Sequence, residues 1–204
     1  MPIDLPGVIL AGGAATRMGG GDKGLLALGG KRLIDHVIAR LAPQCSRLML
    51  NANGDPERFA GLGLPVVADS LPDRPGPLAG VLAGLDWAAG IGAEAIVTAA
   101  ADTPFFPADL VARLLAAAGP AGLALAASRD ATGRLQRHPT FGLWPVALRH
   151  DLRATLRAGL GKVVLWADRH GAGTAIFEAG ARDPFFNVNT PEDIIAAERL
   201  LGAA

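Results

Sequence analysis

The chain has 204 residues, half of them hydrophobic and 19% charged, a length that suits one sizeable domain and a composition that excludes intrinsic disorder. Nineteen basic residues balance nineteen acidic ones, which excludes the overall positive field of a general nucleic-acid or anionic-membrane binder and makes any anion site local. A single cysteine, Cys45, excludes an intramolecular disulfide.

The first residues carry no basic leader region, and the apolar run that follows breaks at Gly12-Gly13, so a cytoplasmic protein without a signal peptide is expected. Val8 to Ala11 reads as a short buried strand ending in those glycines. A glycine-rich loop follows, and Leu33, Val37, Ile38 and Leu41 have helical spacing before Pro43 stops the pattern. Arg47 to Asn51 and Pro65 to Ala68 are strand candidates, Leu78 to Ala89 a helix, and Ala95 to Ala100 another buried strand. Pro107 opens a helix through Ala117, Leu123 to Ala127 is strand-like, and Phe141 to Val146 leads into a helical stretch over Ala147 to Leu156. Phe185 to Val188 reads as a last short strand before a helix that starts at Thr190-Pro191 and runs to Leu201.

Strands interleaved with helices predict an α/β fold of three layers, a mostly parallel sheet with helices on both faces, in a single domain over residues 1–204. Such sheets bind ligands beyond the carboxyl ends of their strands. That rule singles out the 12–24 loop, Asn51, Asp69, Asp102 and Asn187 to Asn189. No stretch approaches the roughly 20 apolar residues that cross a bilayer, and the balanced charge supplies no positive field, so neither a membrane nor a nucleic acid is expected as a partner.

The loop Leu10-Ala11-Gly12-Gly13-Ala14-Ala15-Thr16-Arg17-Met18-Gly19-Gly20-Gly21-Asp22-Lys23 carries the strongest chemical signal. Glycines let backbone N–H groups turn inward on a polyphosphate, and Arg17 and Lys23 supply neutralising charge. It is not a Walker A loop, because neither Lys23 nor Lys31 precedes Ser or Thr at the required spacing. With sixteen arginines and three lysines in the chain, a lysine at position 23 points to a need for a compact ammonium, whereas Lys31 after Gly29-Gly30 reads as a turn residue. Asp102, at the end of an apolar strand and before Thr103-Pro104, is either a Mg²⁺ ligand facing the phosphate loop or an Asx-turn aspartate closing the strand. Asn51 and Asp69 occupy equivalent strand ends and could bond a base or ribose, though such residues are more often turn formers. No His/Cys cluster has zinc spacing; His36, His150 and His170 read as solvated, and Trp87, Trp144 and Trp166 as core.

The combination of Leu10-Ala11-Gly12-Gly13, Arg17-Met18-Gly19, Asp22-Lys23, Asn51-Ala52-Asn53, Asp69-Ser70, Gly76-Pro77-Leu78-Ala79-Gly80, Asp102-Thr103-Pro104, His138-Pro139-Thr140 and Asn187-Val188-Asn189-Thr190-Pro191-Glu192 resembles the bacterial molybdenum cofactor guanylyltransferases, in the family's order along almost the whole chain. The resemblance implies a glycosyltransferase-A-like, Rossmann-like nucleotidyltransferase fold. It implies a nucleotide-binding half near residues 1–105 and an acceptor-binding half near 106–204. The activity implied is transfer of GMP from GTP to Mo-molybdopterin with Mg²⁺, releasing pyrophosphate, with molybdoenzymes and their insertion chaperones receiving the product. Carried over by position, GTP contacts fall on Leu10, Ala11, Gly12, Gly13, Lys23, Asn51, Asp69 and Asp102, and the metal ligand on Asp102. Acceptor contacts fall on Gly80, His138, Lys162, Asn187 and Asn189, with Lys162 standing where family members present Arg-Arg.

The expected reaction is in-line attack by the acceptor phosphate on the α-phosphorus. Arg17 and Lys23 would meet the β and γ oxygens, the Gly12 and Gly13 amides the departing charge, and Asp102 the metal. The nucleophile's second pKa is about 6, so no general base is required. Two competing readings share the motifs: cytidylyl or sugar-phosphate nucleotidyl transfer on the same scaffold, and a nucleotide-binding sensor without chemistry.

Overall fold

A computed structural model describes residues 4–12, 22–71, 73, 76–130, 132–159, 161–178 and 183–202. Gly13 and Arg17 therefore lie outside the described residues. In chain order the chain forms β1 (Gly7–Leu10), β2 (Ala27–Leu28), β3 (Lys31–Arg32), α1 (Leu33–Leu41), β4 (Leu48–Asn51), β5 (Val66–Val67), α2 (Pro77–Gly90) and β6 (Ala95–Ala100). It continues with α3 (Leu110–Ala116), β7 (Ala124–Arg129), β8 (Leu135–Pro145), α4 (Arg149–Arg157), α5 (Val163–Arg169), β9 (Gly173–Glu178) and α6 (Pro191–Gly202).

Seven strands form one sheet in the order β5-β4-β1-β6-β8-β7-β9. Four ladders are parallel, and β8 runs antiparallel to both neighbours, so the sheet is mixed within a mostly parallel frame. Because successive strand residues face opposite sides, Ile9 enters the core beneath α1 and α3 while Val8 and Leu10 enter the core beneath α2, α4 and α5. The result is the three-layer α/β arrangement expected from the sequence. A smaller cluster of Leu28, Leu33, Phe105, Val188 and Ala197 seats α6 against the β2–β3 hairpin. Gly29 (φ +56°) and Gly30 (φ +78°) form the two-residue turn of that hairpin, a conformation that disfavours a side chain at both positions. Among the described residues no helix is long and apolar enough to cross a membrane.

The structure corrects several sequence expectations. Phe185 to Val188 is not a strand: the segment runs without regular structure, its apolar residues filling two clusters instead of pairing in the sheet. α3 begins at Leu110 instead of Pro107, and α5 and β9 were not anticipated. β8 starts at Leu135 and passes through His138-Pro139. Proline survives there because the register jumps: Leu125 pairs with Gly142 and Ala126 with His138, leaving Pro139, Thr140 and Phe141 without partners on β7.

Trp144 and Trp166 are core residues as expected, each almost completely buried, with the Trp144 Nε1 donating to Thr98 Oγ1 at 2.8 Å. His170 is not solvated. It meets Asp151 Oδ2 at 2.8 Å, the oxygen that also accepts Trp166 Nε1 at 2.8 Å, and this three-residue contact joins α4 to α5. At the outer edge of the sheet, Arg113 from α3 donates to the Ile176 carbonyl of β9 at 2.6 Å, its guanidinium lying 4.4 Å from the Phe177 ring centroid.

Candidate active site

The chain leaves β1 toward β4 on one side and returns as β6 on the other, which makes the carboxyl ends of β1 and β6 a topological switch point. A cleft of about 260 Å³ opens there. Leu10 and Gly12 follow from β1, Asn51 and Asn53 from β4, Asp69 from β5, and Ala100 and Asp102 from β6. Gly76 and Pro77 at the start of α2, Thr140 of β8 and Asn187 complete the lining.

Asp102 is the chemical centre of the cleft. It sits where the apolar β6 ends, its side chain 18% exposed. Burial pushes its carboxyl above the ordinary aspartate range, and the Lys23 ammonium pulls it partly back. Lys23 opens a 3₁₀ turn at the far end of the glycine loop, its Nζ 3.6 Å from Asp102 Oδ2. The same ammonium donates to Asn189 Oδ1 at 2.5 Å, a contact between residues 166 apart in the chain. The backbone secures this corner as well: Val188 N donates to the Asp102 carbonyl at 2.9 Å.

A second group organises the opposite wall. Asp69 accepts Asn51 Nδ2 on one carboxylate oxygen at 3.0 Å and Asn53 Nδ2 on the other at 2.7 Å, while its own N–H donates to Asn53 Oδ1 at 2.8 Å. Asn51 also donates to the Val67 carbonyl, so its amide plane is fixed. Gly80 of α2 lies directly behind it, where a Cβ would overlap the Asn51 amide and approach Leu10 Cδ2 to 2.9 Å. A donor-acceptor wall of this kind suits a base or ribose; a buried carboxylate next to an ammonium suits a metal-bound phosphate chain.

The structure thus brings Leu10, Gly12, Asn51, Asp69, Asp102 and Asn187 to one cleft, with Lys23 and Asn189 at its edge. Ala11 is buried, its N–H taken by the Asn51 carbonyl. Gly80 stands behind the wall, and His138 is buried, bonded to Ser128 Oγ at 2.8 Å. Lys162 is exposed at the start of α5 and does not line the cleft. Sequence reasoning gave no role to Asn53, Thr140 or Arg58. Asn53 carried a signal, standing two residues past Asn51 in a strand-end Asn-Ala-Asn. Thr140 depends on the β8 register jump. Arg58 pairs with Asp22 through Nε at 2.5 Å and donates to the carbonyls of Asn53 and Asp55, tying the end of the glycine loop to the β4 loop.

Among the described residues no group of three or more His, Cys, Asp or Glu could enclose a metal. A lone buried carboxylate fits a cation that takes its remaining ligands from phosphate and water, the habit of Mg²⁺.

The sequence profile described as "MobA-like NTP transferase domain" matches residues 7–171. A molybdenum cofactor guanylyltransferase of Bradyrhizobium sp. (strain ORS 278) is 54% identical over 201 residues, covering 96% of this chain and 92% of the relative. One from Cereibacter sphaeroides is 54% identical over 195 residues, covering 96% of both. Among solved structures, molybdopterin-guanine dinucleotide biosynthesis protein A from Archaeoglobus fulgidus superposes with a TM-score of 0.73 at 21% identity, covering 98% of this chain and 100% of that one, a likeness of fold.

Proposed function

The chain belongs to the MobA-like NTP transferase family, and from that membership we propose that it transfers GMP from GTP to Mo-molybdopterin, yielding the guanine dinucleotide cofactor and pyrophosphate. It is a nucleotidyltransferase, and the observation that supports this particular reaction best is the meeting of Lys23, Asp102 and the Asn51-Asp69-Asn53 wall in one cleft at the strand switch point. An oxygen of the acceptor phosphate bonds to the α-phosphorus as the bond to pyrophosphate breaks, and the electron pair leaves on the β-phosphate oxygen. The enzyme's contribution is orientation and charge neutralisation.

In this reading Lys23 neutralises the leaving pyrophosphate together with Arg17, Gly12 and Gly13 offer backbone amides, and the Asn51-Asp69-Asn53 wall orients the nucleoside. Asp102 would hold Mg²⁺, which supplies further positive charge to the phosphate oxygens. The lone buried carboxylate supports that assignment. The acceptor half beyond residue 105 would present Asn187 to the pterin phosphate. Asn189, bonded to Lys23, would act on the cation instead of the acceptor. Residues 1–204 are proposed to form one folding unit, working in the cytoplasm and handing the product to molybdoenzymes or their insertion chaperones.

Incubation with Mg²⁺, molybdopterin and GTP, CTP or UTP in parallel tests the reading. Guanine dinucleotide, identified by mass with stoichiometric pyrophosphate, is expected from GTP, and chelation of divalent metal is expected to stop its formation. Preferential CTP turnover would replace guanylyl by cytidylyl transfer, and nucleotide binding without pyrophosphate release would leave a sensor.

A further inference from the structure

The segment from Asp183 to Asn189 borders the cleft without regular structure, yet it delivers Asn187 to the cleft lining and Asn189 to Lys23. Two anchors hold it. One is Val188, fully buried, whose N–H donates to the Asp102 carbonyl at 2.9 Å. The other is Phe185, 4% exposed, its ring stacked on the His138 imidazole at 4.2 Å between centroids and 22° between planes. Phe141 and Phe177 meet the same ring edge-on at 4.9 Å and 5.3 Å. The exposed Asn187 lies between the two anchors, so its position depends on both.

His138 is fixed from behind. Its Nε2 lies 2.8 Å from Ser128 Oγ, and Ser128 is itself only 3% exposed. His138 does not line the cleft, whereas Thr140, two residues on across the β8 register jump, does. Burial pushes the imidazole below its ordinary range, with the nearby Asp183 carboxylate acting in the opposite sense. A neutral ring can lie flat on Phe185 without a counter-ion.

We propose that His138 is a positioning residue for the transfer reaction: held by Ser128, it seats Phe185 and thereby sets Asn187 at the cleft, without touching either reactant. The proposal rests on the guanylyltransferase reading for its kinetic consequence but not for its structural one. His138→Ala removes the stack, and the double variant S128A/H138F restores a flat ring without leaving the buried serine hydroxyl unpaired.

Amide hydrogen exchange and steady-state kinetics together form the test. In His138→Ala, exchange is expected to quicken in the 183–190 peptide and not in the β7 peptide 124–129. Acceptor kcat/KM should fall on the order of 10- to 100-fold, the size of effect a misplaced contact produces. The KM for GTP should stay within about twofold, since Val188 anchors the Lys23 corner separately. The double variant should recover both readouts.

Unchanged exchange in the 183–190 peptide of His138→Ala would overturn the proposal. So would a double variant with restored exchange protection and the low activity of the alanine variant, because the imidazole would then act on a reactant directly. If His138→Ala fails to fold, Phe185→Leu removes the stack from the other partner and is read by the same criteria. A wild-type enzyme that transfers no GMP would sink the functional reading alone, and the exchange comparison would still decide the role of His138.

Discussion

If Asp102 holds the metal as proposed, its function and the stability of the fold make opposing demands on it. Its carboxyl is pushed above the ordinary range by burial, so relative to the unfolded chain the folded state favours the protonated form. The associated stability is present at low pH and is lost as pH rises through the folded-state pKa, so at neutral pH the ionised group weakens the fold. Asp102→Asn is accordingly expected to hold or raise the thermal midpoint at pH 7 while lowering nucleotidyl transfer on the order of 10²- to 10³-fold, the scale seen when one electrostatic contact to a transition state is removed. Scanning calorimetry beside a pyrophosphate-release assay checks both, and a midpoint several degrees lower with full activity would contradict both. Gly80 makes a different demand. A methyl group there overlaps the Asn51 amide, so Gly80→Ala should cost about 1–3 kcal/mol of stability by overpacking and raise the KM for GTP, measured by denaturant titration and kinetics. At this scale the strand-end rule located Asn51, Asp69 and Asp102 from sequence, because a strand's end is marked locally. That Asn51 and Asn53 grip one carboxylate, or that Asn189 meets Lys23, depends on contacts that no local pattern encodes.

Elements were legible in proportion to length and burial. β1, β4 and β6 are short, buried and mostly apolar runs, and α2 is long and apolar apart from Asp86, so all were read nearly in place. α5 has seven residues, fewer than the periodicity needs, and β9 begins at a glycine with only Ala175 and Phe177 buried. Phe185 to Val188 misled for the opposite reason: an apolar run can fill clusters from a loop as well as from a strand. The α4–α5 junction depends on Asp151, whose carboxyl is held below the usual range chiefly by the His170 hydrogen bond, opposed by some desolvation and assisted by Trp166. A lowered pKa contributes stability above the unfolded value of about 4, lost as pH falls through the folded one. Asp151→Ala leaves the buried Trp166 N–H without its acceptor and should cost about 1–3 kcal/mol at pH 7. The part of the gap between variant and wild-type melting midpoints owed to the His170 contact should fade below about pH 4, and a gap independent of pH would leave the lost Trp166 acceptor as the whole of the cost.

The two halves of the molecule share one sheet, joined where β6 pairs with β8. A polar link reinforces the seam on the helical side: Arg153 of α4 donates to both oxygens of Asp86 on α2, at 2.7 Å and 2.5 Å, and Ser70 Oγ donates to the same carboxylate at 2.6 Å. Since Ser70 follows Asp69, the link also steadies the Asn51-Asp69-Asn53 wall of the cleft. Asp86→Ala is expected to lower stability by about 1–2 kcal/mol, tempered by the partial exposure of the pair, while unfolding remains a single transition by near- and far-ultraviolet dichroism. Separate transitions for the two probes would argue for two folding units. At the opposite end of the sheet, β9 presents a border strand on which another chain could template itself. Arg113 already occupies a carbonyl on that border and places a fixed positive charge there. An incoming strand would first have to displace that guanidinium, so this rim carries a charged guard against edge-to-edge pairing.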